Sequence, residues 1–221
     1  MFKQIFELFK SNSLYDKALK ECHEMLDIDL VMFNYSIDSL RKKETAELPM
    51  DLYDMDKKIN EFERDVRRKI MTHLAISGST DLGSGLVLVS VVIDIERIGD
   101  YTKNIYDMAR NHPAKLTGGS IEKQIQLIEK NSSFIFEKGI KAFKEQNIQL
   151  ARNLMQTYKK DVSSLCDEVT HNIISGKLTD LSTDQGASLA LYSRYLKRIA
   201  AHSRNLISSV VNPFERIGYP E

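Results

Sequence analysis

Apolar residues recur at helical spacing along almost the whole chain. Leu26, Leu30, Phe33, Ile37 and Leu40 step by four, three, four and three, which predicts a helix over about 13–44. Ile59, Phe62, Val66 and Ile70 continue the pattern on a second helix, about 48–77. The turn signal SGSTDLGSG at 77–85 separates it from a third, about 82–111. His112-Pro113 and LTGGS at 116–120 make the clearest break in the sequence. The pattern then restarts. Ile121, Ile125, Ile128, Ile135 and Ala142 mark a fourth helix, a fifth covers about 147–175 and stops at Gly176, and a sixth runs over about 183–211. The tail, 212–221, reads as irregular, and 1–12, with Phe2, Ile5, Phe6 and Phe9 on one face, reads as a short N-terminal helix.

The third helix is ambiguous on propensity alone, because VLVSVVIDI is rich in β-branched residues that favour strands. An internal repeat decides it. Shifted by 101 residues, Gly85, Leu88, Arg97, Ile98 and Asn104 fall on Gly186, Leu189, Arg198, Ile199 and Asn205. The later copy, SLALYSRYLKRIAAHSRNL, has the composition of a helix, so the earlier copy is predicted to be one too, buried on most sides. Upstream, Asp56 and Glu63 fall on Asp161 and Glu168 at an offset of 105. The predicted fold class is therefore all-α: two tandem three-helix bundles, 13–112 and 121–211, joined by a linker at 113–120 and sharing a core.

Composition narrows the function. The chain has 221 residues, 31 basic and 31 acidic, so it lacks the basic excess of a nucleic-acid binder and no nucleic-acid partner is expected. No apolar run reaches the ~18 residues of a membrane span, so membrane contact is expected only through partners. The two cysteines, Cys22 and Cys166, lie far apart and form no CxxC, which fits a reducing cytoplasm. HExxH, P-loop and GxGxxG motifs are absent from the sequence, and GSGLV reads as a helix start. His73 and His202 read as packing residues.

One feature does not fit a plain bundle. The most apolar run, GLVLVSVVIDI, leads into ERIGD, where Glu96 and Asp100 stand one turn apart, with Asn104 a turn further. Asp56, Asn60 and Glu63 form a matching stripe on the second helix, predicted to lie about 80° from its apolar stripe. Packed helices lie about 8–10 Å apart, so the two stripes can meet over one ion. Crowded carboxylates repel, and a bound cation removes that cost. Oxygen donors suit magnesium, calcium or manganese, and ferric iron is also oxygen-seeking. Arg64, Arg67, Arg97 and Lys103 are available to neutralise the same acids instead. A catalytic di-iron bundle would add Glu-x-x-His motifs, which the sequence lacks.

ERIGDYTKNI after a buried helix, DMDKKINEFERDV before it and STDL in the turn together resemble the PhoU family of phosphate-transport regulators. The resemblance covers about 13–211 and is clearest in the first unit. Glu96 and Asp100 match the family's E(D)xxxD pattern; Asp56 and Asn60 match its partner motif, with Asn in place of the second acid. The resemblance implies a non-enzymatic, cytoplasmic negative regulator of phosphate uptake and phosphate-starvation signalling. Its partners would be a phosphate transporter's ATPase subunit or permease and a sensor histidine kinase, and it would form a homodimer. It also implies a metal site drawn from Asp56, Asn60, Glu63, Glu96 and Asp100, holding iron, magnesium, manganese or zinc. The second unit departs from the pattern: Lys197 stands for Glu96, Ala201 for Asp100 and Leu165 for Asn60, so at most one metal site is expected and Asp161 and Glu168 read as surface charges. The alternatives are a metal-dependent, ferritin-like oxidase and an accessory protein of a sodium/phosphate or other phosphate permease.

Overall fold

The computed structural model describes residues 13–42, 50–77, 81–112, 114–156 and 162–220. The expected N-terminal helix and Asp161 lie outside the described residues. Seven α-helices are described: α1 (Leu14–Arg41), α2 (Leu52–Ser77), α3 (Leu82–Asn111), α4 (Glu122–Lys144), α5 (Ile148–Met155), α6 (Ser164–Ile174) and α7 (Thr183–Ser208). The β-branched run is helical throughout, as the repeat predicted. Tertiary burial overrides its strand propensity, because Leu88, Val91, Val92, Ile95 and Ile98 are all inaccessible to solvent or nearly so.

Helix ends follow local chemistry. Ser13 and Asp16 form a reciprocal capping box at the start of α1. Asn147 Oδ1 accepts from the Leu150 amide at the start of α5, and Ser182 Oγ from Gln185 at the start of α7. Gly176, at φ 68°, takes the left-handed conformation just after α6. Within the described residues the expected fifth helix is two helices. The apolar positions divide accordingly: Ala151 and Leu154 are buried on α5, Cys166 and Val169 on α6. The tail holds a short 3-10 turn, Phe214–Arg216, tied down where Asn212 Nδ2 donates to the carbonyls of Arg216 and Tyr219.

Helices α1, α2 and α3 pack mutually, and α4, α5 and α6 gather around α7. The two groups join through α3 against α7, a contact as extensive as that of α4 with α7. Here repeat-equivalent residues meet. Tyr101 stacks on its counterpart His202 with ring centroids 5.8 Å apart and planes 23° apart. Asp94 accepts from His202 at 2.7 Å, and the equivalent cross-pair, Tyr195 with Tyr101, is in ring contact at 6.2 Å. A contact paired with its own counterpart is the signature of a two-fold relation, here between halves of one chain. Asn205 and His202 both donate to the largely buried Asp94, so this polar seam is satisfied and fixes the register of the halves.

Both cysteines are free and buried; burial pushes the Cys22 thiol up, and the Cys166 thiol to about 12. They are packing residues rather than nucleophiles.

Candidate functional site

The acidic stripes of α2 and α3 do converge, but not quite as their spacing predicts. Asp56 does not flank the apolar stripe of α2. It lies in it, with Leu52 before it and Ile59 after it, and all three are buried. Asn60 and Glu63 take the flanking, half-buried positions, and Asn60 Nδ2 donates to the Asp56 carbonyl at 3.0 Å and to its carboxylate at 3.3 Å. Asn104 is half-buried a turn beyond Asp100.

Each ionic donor is matched to a side-chain cation. Lys103 Nζ lies 2.7 Å from Asp56 Oδ2 and 3.3 Å from Asp100 Oδ1, bridging α2 and α3. Arg97 donates to Asp100 at 2.8 Å and stands 3.5 Å from Glu96; Arg67 donates to Glu63 at 2.9 Å. Burial opposes the Lys103 charge, but its hydrogen bonds to Asp56 and Asp100 outweigh that and hold its pKa above the ordinary lysine value. Glu96 is pushed up by burial first and Asp100 next, with Glu63 and Asp56 adding and Arg97 opposing. As arranged, no three His, Cys, Asp or Glu side chains among the described residues surround a point where one ion could sit. The carboxylates have the donor chemistry for a hard cation, but their present geometry is that of an ion-pair cluster.

The fifth carboxylate of this region is absent from the motif. Asp29 on α1 is fully buried, and neither of its oxygens has a hydrogen-bond partner among the described residues. Its Oδ1 abuts Gly99, which lies between Glu96 and Asp100: a Cβ added there would fall 2.8 Å from Asp29 Oδ1 and 3.1 Å from Ile59 Cδ1. Burial, then the charges of Asp56, Glu96 and Asp100, raise the Asp29 pKa well above its ordinary value. The sequence carried a signal for it. Leu26, Asp29 and Phe33 are spaced i, i+3 and i+7, which puts an acid in the middle of an apolar stripe.

The close approach at Gly99 is testable. Gly99→Ala is expected to cost about 1–2 kcal/mol, because Asp29 or Ile59 must give way in a packed core. Thermal melts of Gly99→Ala, Asp29→Ala and the double variant should show the second change relieving part of the first. Additive losses would mean that the two positions do not press on each other.

In the second unit Lys197, in place of Glu96, pairs with Asp167 at 2.5 Å, and Glu168 is exposed. His73 packs as expected, its ring 5.9 Å from that of Tyr15, and also contacts Asp81 at 2.9 Å.

Among the described residues the protein is all-helical, and its fold is that of PhoU crystal structures. Residues 22–109, which span α2, nearly all of α3 and most of α1, match the PhoU domain family model. The crystal structure of PhoU from Pseudomonas aeruginosa is similar over 91% of this chain and 97% of that one, with a TM-score of 0.80 at 19% identity. The phosphate transport system regulatory protein PhoU from Streptococcus pneumoniae is similar over 93% and 94%, with a TM-score of 0.67 at 20% identity. No curated protein matches the sequence. Among the described residues, no helix is long and apolar enough to cross a membrane.

Proposed function

We propose that this chain is a non-enzymatic, cytoplasmic regulator that restrains phosphate uptake and starvation signalling by docking onto other proteins. The PhoU-domain match over 22–109, which contains ERIGD, carries this reading. The fold similarity across both halves supports it. So does the satisfied polar seam between α3 and α7, since it gives a partner one preset surface rather than two loosely hinged bundles. The partners in this reading are a phosphate transporter's ATPase subunit or permease and a sensor histidine kinase, engaged by a homodimer.

Deleting the gene in its own host, under phosphate-rich conditions, tests the reading. Phosphate uptake and a starvation-responsive phosphatase reporter should both rise, and restoring the gene should return both to baseline. Unchanged uptake and reporter in the deletion strain would refute it.

A further inference from the structure

We propose that residues 213–219 are a strap that locks the two halves in register, with Gly218 setting the Asn205 amide against Asp94, and that lifting the strap is a conformational switch on the geometry between the halves.

The strap crosses the seam. After α7 the chain folds back, and Asn212 Nδ2 donates to the carbonyls of Arg216 and Tyr219 at 3.0 and 2.8 Å, closing the segment into a compact turn. The Gly218 amide donates to Ser208 Oγ at 2.7 Å, which pins the turn to the last residue of α7. The 3-10 turn Phe214–Arg216 lies against α3. One short segment therefore touches both helices of the contact that joins the halves.

The strap also reaches the polar groups of that contact. Gly218 has φ 83°, and a Cβ built there would fall 2.7 Å from Asn205 Oδ1. Only glycine fits both the backbone conformation and the space. The Asn205 amide is thus held on two sides: its oxygen abuts Gly218, and Nδ2 donates to Asp94 Oδ1 on α3 at 2.8 Å. Turned over, it would present an oxygen to the Asp94 carboxylate, so the seating of the strap and the orientation of Asn205 go together. His202 Nδ1, 2.7 Å from the same oxygen, would then be the remaining donor to a largely buried acceptor. The strap itself is held by hydrogen bonds rather than by a core. None of Phe214, Glu215 and Arg216 is buried, and Tyr219 is 63% exposed. Its opening is therefore a local event, far less costly than unfolding either bundle.

Two measurements on the full chain test the proposal. Spin labels at Glu61→Cys on α2 and Glu168→Cys on α6, exposed positions in different halves, report the geometry, because the native cysteines are buried. Gly218→Val should widen the label-to-label distance distribution about twofold. It should also speed amide exchange at 92–98 of α3 roughly tenfold while leaving 57–66 of α2 unchanged. Ser208→Ala removes the anchor of the strap and leaves Asn205 in place; it should shift both readings in the same direction, so the test does not depend on one variant. In an Asn205→Ala background, Gly218→Val should add less than about twofold to exchange at 92–98, since Asn205 is the link. An unchanged distance distribution, or faster exchange confined to the last turn of α7, would overturn the switch. Faster exchange of α2 by the same factor would mean general destabilisation and would also count against it. Full additivity with Asn205→Ala would remove Asn205 as the link. None of these readings involves phosphate uptake, so this inference and the regulatory reading fail separately.

Discussion

Arg41→Met is expected to destabilise the chain by about 3–5 kcal/mol, the range for removing one partner of a buried ion pair. Arg41 lies at the end of α1 with its side chain only 8% exposed. Its Nε donates to Glu129 at 2.6 Å, one terminal nitrogen to Glu122 at 2.5 Å, and the other to the Leu116 carbonyl. Glu129 also accepts from the hydroxyl of the fully buried Tyr192 at 2.7 Å. One guanidinium therefore joins α1 to α4, to the connecting segment and, through Glu129, to α7. Methionine keeps the stem but leaves two carboxylates without their counter-charge and the Leu116 carbonyl without the guanidinium. Lysine should not rescue, because a point charge cannot satisfy three acceptors held in a fork. Urea denaturation gives the measurement. Adding Glu129→Gln should recover part of the loss, since it removes one stranded charge while leaving an acceptor for Tyr192. A loss below about 1 kcal/mol would place Arg41 among ordinary surface pairs.

Most of the architecture was legible because it rests on periodicity. Helix positions follow from spacing that one helix can report, and the correspondence of α3 with α7 follows from the repeat. The site was legible only in part, for the same reason. Arg97 with Asp100 and Lys103 with Asp100 are i, i+3 neighbours on α3, visible in the sequence as options. Lys103 with Asp56 depends on the register of α3 against α2, which no single-helix pattern contains. Asp29 was hidden differently. Leu30 and Ile37 belong to the apolar stripe of α1 in the sequence, but both are only half-buried, while Asp29 and Ser36 lie at the centre of the buried face. Hydrophobicity cannot find a stripe whose middle is polar. The substitution of His202 for Tyr101 across the repeat reads as packing, but that the two rings stack on each other required the fold.

With divalent ions removed by chelator, Asp29→Asn is expected to raise stability at neutral pH by about 2–4 kcal/mol, the upper part of the penalty for a buried polar group when that group is charged. The gain should depend on pH with a definite sign. Burial, reinforced by Asp56, Glu96 and Asp100, raises the folded pKa of Asp29 above its ordinary value of 3.8. The folded chain therefore holds this proton more tightly than the unfolded chain does. Well below the ordinary value both states are protonated, Asp and Asn are nearly equivalent, and the variant should match wild type. As pH rises past it, the unfolded chain releases the proton first, and wild type loses stability until the folded carboxyl ionises as well. The stability difference between Asp29→Asn and wild type should thus grow as pH rises past the ordinary value and level off only once the folded carboxyl ionises. The positive charges paired with the neighbouring acids, Lys103 and Arg97 on α3 and Arg67 on α2, are present in both proteins and drop out of the comparison. Urea unfolding across this pH range provides the curve. A flat difference would mean that Asp29 titrates alike in both states. A variant less stable than wild type at neutral pH would mean that the carboxylate already has a favourable partner.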